Sequence, residues 1–213
     1  MARTGRPRNF DRDEAVTNAM HLFWQHGYEG ASTDQLRLAM GGISSASFYA
    51  AFGSKEMLFR ESLQLYLDQH GGVVNALRDT SLPARERLEQ ALLASVDVQT
   101  EASHPSGCMI TLSATILSKD GVTLQALTAG HREETRRAIA DCITDGVSTG
   151  ALKTATDISA LVSLYDAILL GVSIQARDGV SIPSIRGAVR AAMASWDAVA
   201  SDSDRLCATA TRK

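Results

Sequence analysis

The stretch Ser32–Leu58, STDQLRLAMGGISSASFYAAFGSKEML, decides the fold. Ser32 and Gln35 have the spacing of a capping box, so a short helix is expected from about Thr33 to Met40. Leu36 and Ala39 point inward from it. Gly41-Gly42 breaks it. Ser44 or Ser45 then caps a very short helix holding Phe48 and Tyr49. Gly53 ends that helix, and Ser54 caps a longer one through Leu58, Leu63, Leu65 and Leu67. Short helix, glycine turn, short helix is the pattern of a helix-turn-helix.

Upstream, a helix is expected from about Asp11 to Gly27. Asp11 and Glu14 form a second capping box, and Ala15, Val16, Ala19, Met20, Leu22 and Phe23 recur with helical spacing. Residues 1–10 carry Arg3, Arg6 and Arg8 with no acid and read as a flexible basic arm. Downstream, five more helices are expected. One starts near Pro83, one runs from Gly107 to about Ser118, and one runs to about Val147. The last two span Asp157–Arg177 and Pro183–Ala200. The chain therefore reads as all-α, about nine helices. Residues 11–53 form a three-helix unit, 54–200 a larger helical unit, and 201–213 a polar tail.

Composition agrees. The 213 residues are 45% hydrophobic and 5% aromatic, which excludes a disordered chain. The four prolines leave long uninterrupted stretches, and Ala and Leu are abundant. Three cysteines, Cys108, Cys142 and Cys207, fit a reducing cytoplasm. No signal peptide is expected, because no apolar run follows the basic start. No membrane span is expected either. The richest segment, Ile158–Ile174, is interrupted by Asp166 and serines.

The net charge of −3 hides an uneven distribution. Residues 1–60 hold seven Lys+Arg against six Asp+Glu, and Gly41–Phe52 has no acid at all. DNA binding needs a locally positive, acid-free surface rather than a basic protein. In a helix-turn-helix the first residues of the recognition helix approach base edges. Here these are Ser44, Ser45, Ala46 and Ser47. Their hydroxyls and backbone N–H groups suit phosphates, and none is an Arg, Asn or Gln that reads a base strongly. A second reading, that the serines only cap the helix, stands beside this one.

The run A-x-x-L-F-W-x-x-G-Y-x-G-A-S-T-D-Q-L, followed by G-I-S-S-A-S-F-Y-A-A-F-G-S-K-E-M-L-F, covers most of Phe10–Glu61. It resembles the DNA-binding domain of the TetR/AcrR family of bacterial transcriptional regulators. Tyr49, Phe52, Lys55, Glu56 and Leu58 occupy the family's signature places. The resemblance implies that Tyr49, Lys55 and Thr33 touch phosphates and that Phe48 and Phe52 hold the core; Arg3, Arg6 and Arg8 would either reach a minor groove or form an arm that makes no contact. Gly41-Gly42 holds one residue more than the family's usual turn, which would rotate the recognition helix.

The resemblance also implies a homodimer and a small-molecule effector. Twelve of the 17 residues in Ile158–Ile174 are hydrophobic, more than one buried face needs. With Ile185, Val189, Met193 and Trp196 of the last helix, Leu161, Tyr165, Ile168 and Val172 would form a four-helix bundle with a symmetry mate. Such a dimer presents two recognition helices to a palindromic operator in double-stranded DNA. The expected pocket lining is Leu92, Val96, Cys108, Met109, Leu112, Ile116, Leu124, Leu127, His131, Tyr165 and Leu169, suited to a small, largely apolar effector. Effector would release the repressor from DNA.

Cys108, in P-S-G-C-M at a helix start, raises an alternative: a redox or electrophile sensor. A regulator with no effector is another. The histidines His21, His26, His70, His104 and His131 lack metal-ligand spacing, and no cofactor is expected. No P-loop, GxSxG, HExxH or GxGxxG occurs, so an enzyme is not expected.

Overall fold

A computed structural model describes residues 11–113 and 121–201. Ten helices and no strand occur among these residues. The elements are α1 Arg12–Gly30, α2 Thr33–Ala39, α3 Ser45–Phe52, α4 Lys55–His70 and α5 Val73–Arg78, then α6 Ala84–Thr100, α7 Met109–Leu112, α8 Val122–Ser148, α9 Ile158–Arg177 and α10 Ile182–Val199.

The expected N-caps are present, although the box expected of Asp11 and Glu14 forms only on the Asp11 side. Asp11 accepts hydrogen bonds from the amides of Asp13 and Glu14 at the start of α1. At α2 the capping box is complete: the Gln35 amide donates to Ser32 Oγ at 3.2 Å and the Ser32 amide donates to Gln35 Oε1 at 2.8 Å. Ser44 and Ser54 cap α3 and α4. The kink in α1 falls at Gly27, at φ 73°, and one more turn follows it to Gly30. The kink turns the Tyr28 amide outward, and it donates to the Ser113 carbonyl at 2.8 Å.

Two apolar cores result. The amino-terminal core joins α1–α4, with Phe23, Trp24, Leu36, Phe48, Phe52, Leu58, Phe59 and Leu63 buried, and takes in Met109 and Leu124. The larger core lies among α5, α6, α8, α9 and α10. Burying these side chains contributes about 1.5–3 kcal/mol each.

Two expectations about the helices change. An additional helix, α5, follows Gly71-Gly72; its N-cap Gly72 has no capping side chain, so no sequence signal marks its start. Between Gly107 and Ser118 only Met109–Leu112 is helical among the described residues, and Ile116 lies outside them. By length and composition alone α9 is apolar enough to cross a membrane, with a mean hydropathy of 1.6. It is the one such helix among the described residues, and it packs against α6, α8 and α10.

The side chains expected at a dimer interface prove to be mostly internal. Leu161, Tyr165, Val172, Ile185, Val189, Met193 and Trp196 are all buried in the chain's own core, and Ile168 packs against it. They are the bulky residues of α9 and α10, and burying bulk gains most from leaving water. Among the residues α9 and α10 leave outside are the small Ser163, Ala167, Ala191, Ala194 and Ala198, beside the larger Leu164, Ile174, Ile182, Arg190 and Asp197.

Candidate nucleic-acid interface and effector cavity

The turn between α2 and α3 sets the angle of the recognition helix. Gly41 and Gly42 both take the left-handed conformation, at φ 82° and 72°. The Gly42 and Ile43 amides donate to the Arg37 carbonyl at 3.0 and 3.2 Å. Arg37 Nε in turn donates to the Ile43 carbonyl at 3.0 Å, and its Nη1 donates to Asp34 at 2.8 Å. The second glycine is thus built into a closed turn. A Cβ at Gly42 would meet open space, so only backbone strain opposes a side chain there. Gly42→Ala is expected to destabilise the fold by about 1–2 kcal/mol, read as a lowered thermal midpoint.

On α3, Phe48 and Phe52 point into the core while Ser45, Ala46, Ser47, Tyr49 and Ala50 are exposed. Ser44 Oγ accepts from the Ser47 amide at 3.0 Å and lies 2.9 Å from Ser47 Oγ. Those two hydroxyls therefore serve the cap. Ser45 and Ala46 stand free on the same turn. Tyr49 is 51% exposed, its ring set edge-to-face with that of Phe48. Lys55 is held differently. Its ammonium lies 4.4 Å from the centre of the Tyr28 ring, a cation–π contact at the start of α4. Burial against that ring lowers its pKa, with Glu29 opposing. Thr33 is half-buried at the start of α2. Thr33, Tyr49 and Lys55 occupy the starts of α2 and α4 and the outer face of α3. Arg3, Arg6 and Arg8 lie outside the described residues.

A cavity of about 150 Å³ opens between α4, α6, α8 and α9. Its wall is largely apolar, with Leu67, Val74, Val98, Ile110, Leu169 and Leu170. A buried polar chain crosses it: Ser173 Oγ donates to Gln99 Oε1 at 2.7 Å, and Gln99 Nε2 donates to Ser95 Oγ at 2.6 Å. Cys108 is also on the wall and accepts a hydrogen bond from the Tyr66 hydroxyl at 3.3 Å. Burial, then Cys108, pushes the Tyr66 hydroxyl well above the usual phenol range.

The wall segment 107–113 is bonded to α1. Trp24 Nε1 donates to the Gly107 carbonyl at 2.9 Å, and Tyr28 donates to Ser113. Arg177, at the end of α9, donates to the carbonyls of Trp24 and Gln25 at 2.8 and 2.9 Å. Trp24 also stacks on His104, which lies 4.7 Å from His70 between ring centres. Burial, and then His104, hold His21 below the ordinary imidazole range. Burial, then His104, lowers His70 as well, against a smaller opposing effect of Glu101. The folded state therefore binds fewer protons than the unfolded chain just below pH ~6.5, so this stability is present at neutral pH and lost on acidification. The thermal midpoint is expected to fall from pH 7.5 to 5.5, and His70→Phe to flatten that fall.

Comparison with known proteins now decides the class. The family model "Bacterial regulatory proteins, tetR family" matches residues 16–62, and "Tetracyclin repressor-like, C-terminal domain" matches residues 84–178. The chain belongs to the TetR family. The HTH-type transcriptional repressor ComR of Escherichia coli K12 is 31% identical over 186 residues, covering 85% of this chain and 86% of ComR. The repressor BdcR of the same organism is 31% identical over 192 residues with the same coverage. A solved structure of the TetR-family regulator CifR, a cysteine mutant complexed with 26-bp operator DNA, superposes with a TM-score of 0.83. It is 38% identical and covers 90% of this chain and 100% of that one. As a TetR-family member the chain is a DNA-binding transcriptional regulator and not an enzyme.

Of the lining expected for a TetR-family pocket, Cys108, His131 and Leu169 meet at the cavity. Leu112 lines an adjoining cleft beside Gly27 and Tyr28, which shares Thr111, Arg132 and Leu170 with the cavity. Leu92, Val96 and Tyr165 are buried in the larger core, Met109 and Leu124 in the amino-terminal one, with Leu127 packed against it. Helical periodicity marks a residue as inward without telling packed core from cavity. The reading missed Tyr66, His70, Ser95, Gln99, Arg132 and Ser173. One signal was available: Ser95 and Gln99 are a polar i, i+4 pair on the buried face of α6.

Proposed function

We propose that this chain is a repressor that binds a palindromic operator as a homodimer in the cytoplasm and is released by a small, largely apolar effector. Residues 11–53 read DNA and 54–200 respond, with α4 contributing to both. The observation that carries this is the bonded link between cavity and α1. The segment 107–113 is at once cavity wall and hydrogen-bond partner of Trp24 and Tyr28. An effector that fits only one arrangement of that wall shifts the population towards it and carries α1 along. The DNA face supports the rest. Thr33, Ser45, Tyr49 and Lys55 reach phosphates, Ser44 and Ser47 set the helix start, Ala46 permits close approach, and the arm arginines Arg3, Arg6 and Arg8 extend to a minor groove. The ComR and BdcR relatives are named repressors.

The test is retardation of an inverted-repeat DNA from the region flanking the gene. Binding should weaken with salt, and Tyr49→Ala or Lys55→Ala should weaken it further, each shedding about one phosphate contact from the salt slope. No retardation at low salt would count against the reading.

A second reading is favoured by one observation: Cys108 Sγ stands on the cavity wall within reach of the Tyr66 hydroxyl. Cys108 would then act as a redox or electrophile sensor. Cys142 makes the internal control, since it is buried, donates to the Ala84 carbonyl, and has its thiol pushed up to about 11. N-ethylmaleimide should change DNA affinity in the parent and not in Cys108→Ser.

A further inference from the structure

The charges around the cavity are unevenly matched. Two carboxylates lie on its wall, and each is already held by an arginine from elsewhere. Asp166 is paired with Arg136 at 3.4 Å, and Glu134 with Arg78 at 3.4 Å. Arg132, on the same wall, is different. Its Nη1 donates to the Ile110 carbonyl at 3.0 Å, and among the described residues no carboxylate stands within ion-pair distance of it. A guanidinium has five N–H donors in a planar fork, so most of Arg132's capacity is unspent. It is half-buried against the apolar wall. Burial first, and Arg136 second, lower its pKa, with Cys108 and Asp166 opposing more weakly, so its charge is only partly compensated. An unpaired, partly desolvated cation is the strongest attractor in such an enclosure, because the surroundings screen it weakly. A cationic ligand, by contrast, would have to displace Arg136 or Arg78 from an existing pair.

Size limits what the anion is attached to. A cavity of about 150 Å³ accommodates a single aromatic ring. Val98, Leu169 and Leu170 supply the apolar contact, with Arg132 at the charged end. We propose that the effector is a small aromatic carboxylate whose carboxylate is taken by the Arg132 guanidinium in a two-point bond. This rests on the effector reading of the same cavity. It assigns Arg132 a role in recognition, and it gives the effector a charge as well as a size. Engaging Arg132 also competes with its bond to Ile110, in the wall segment that is tied to α1.

The test uses the full-length chain with benzoate, and with benzamide as the neutral probe of the same shape, followed by calorimetry and thermal shift. Benzoate is expected to bind about tenfold tighter than benzamide, as a charge-assisted fork would give. In Arg132→Gln the two should bind alike. In Arg132→Lys, which keeps the charge and loses the fork, the preference should shrink without vanishing. Circular dichroism establishes that each variant is folded. If Arg132→Gln melts early, the lysine variant carries the comparison alone. Equal binding of both probes by the parent chain, or a benzoate preference that survives Arg132→Gln, overturns the inference and leaves the cavity reading standing. Arg132-dependent benzoate binding with operator affinity unchanged supports Arg132 as a carboxylate site but overturns effector release, and with it the identification of that ligand as the effector. Binding of neither probe at millimolar concentration counts against both.

Discussion

An Ala46→Glu chain is expected to bind operator DNA about a hundredfold more weakly than the parent while melting no earlier. Ala46 lies exposed in the first turn of α3, within a stretch from Gly41 to Phe52 that has no acid. A carboxylate there would face the phosphate array at the closest point of approach. A hundredfold corresponds to about 2.8 kcal/mol, the scale of one like-charge contact in a partly dehydrated interface. The same charge does the opposite to folding. It sits at a helix N-terminus, where an acid contributes about 0.3–1 kcal/mol through the helix dipole. DNA affinity and stability therefore move in opposite directions, which a merely misfolded variant does not do. Fluorescence anisotropy at one fixed salt concentration, beside a thermal melt, reads both. Ala46→Gln, with the same bulk and no charge, should lose much less. If Ala46→Glu binds as well as the parent, α3 is not the element that meets DNA.

The legibility of this interface has a physical cause. Caps and glycine turns are local: Ser32 with Gln35, and Ser44 before α3, act within four residues, so their chemistry is written in sequence order. The resemblance over Phe10–Glu61 added roles for Tyr49 and Lys55. What it could not add was the seat of Lys55 on the Tyr28 ring, 27 positions upstream, because that contact exists only once α1 and α4 are packed. The cavity is harder still. Its polar chain takes Ser95 and Gln99 from α6 and Ser173 from α9, while Arg132 lines the wall from α8. Each residue alone looks like an ordinary polar position. Leu92 and Val96 look like pocket residues for the same reason that they are core: both roles need an inward apolar side chain.

The distinction between inward and outward faces of α9 and α10 leads to the second large effect. Ala167→Glu combined with Ala194→Glu is expected to leave a folded monomer. At micromolar concentration light scattering should fall from twice the 22.7 kDa chain mass to that of one chain. Both alanines are exposed in the single chain, so the change leaves its core intact. A two-fold axis brings the same patch of each copy together, so the double variant sets four carboxylates into one interface. Small side chains at these places let helices approach closely, which a glutamate prevents. A regulator that reads both halves of a palindrome would then lose more than a hundredfold in operator affinity, because a monomer reaches only one half-site. Met193→Ala is the contrast. Met193 is buried in the chain's own core, so its truncation is expected to cost about 2–5 kcal/mol of stability and leave the folded chain dimeric. If Met193→Ala instead yields a stable monomer while the double glutamate variant still dimerises, the two faces have been assigned the wrong way round. In that case the bulky residues of α9 and α10 would meet across the axis, and the alanines would face solvent.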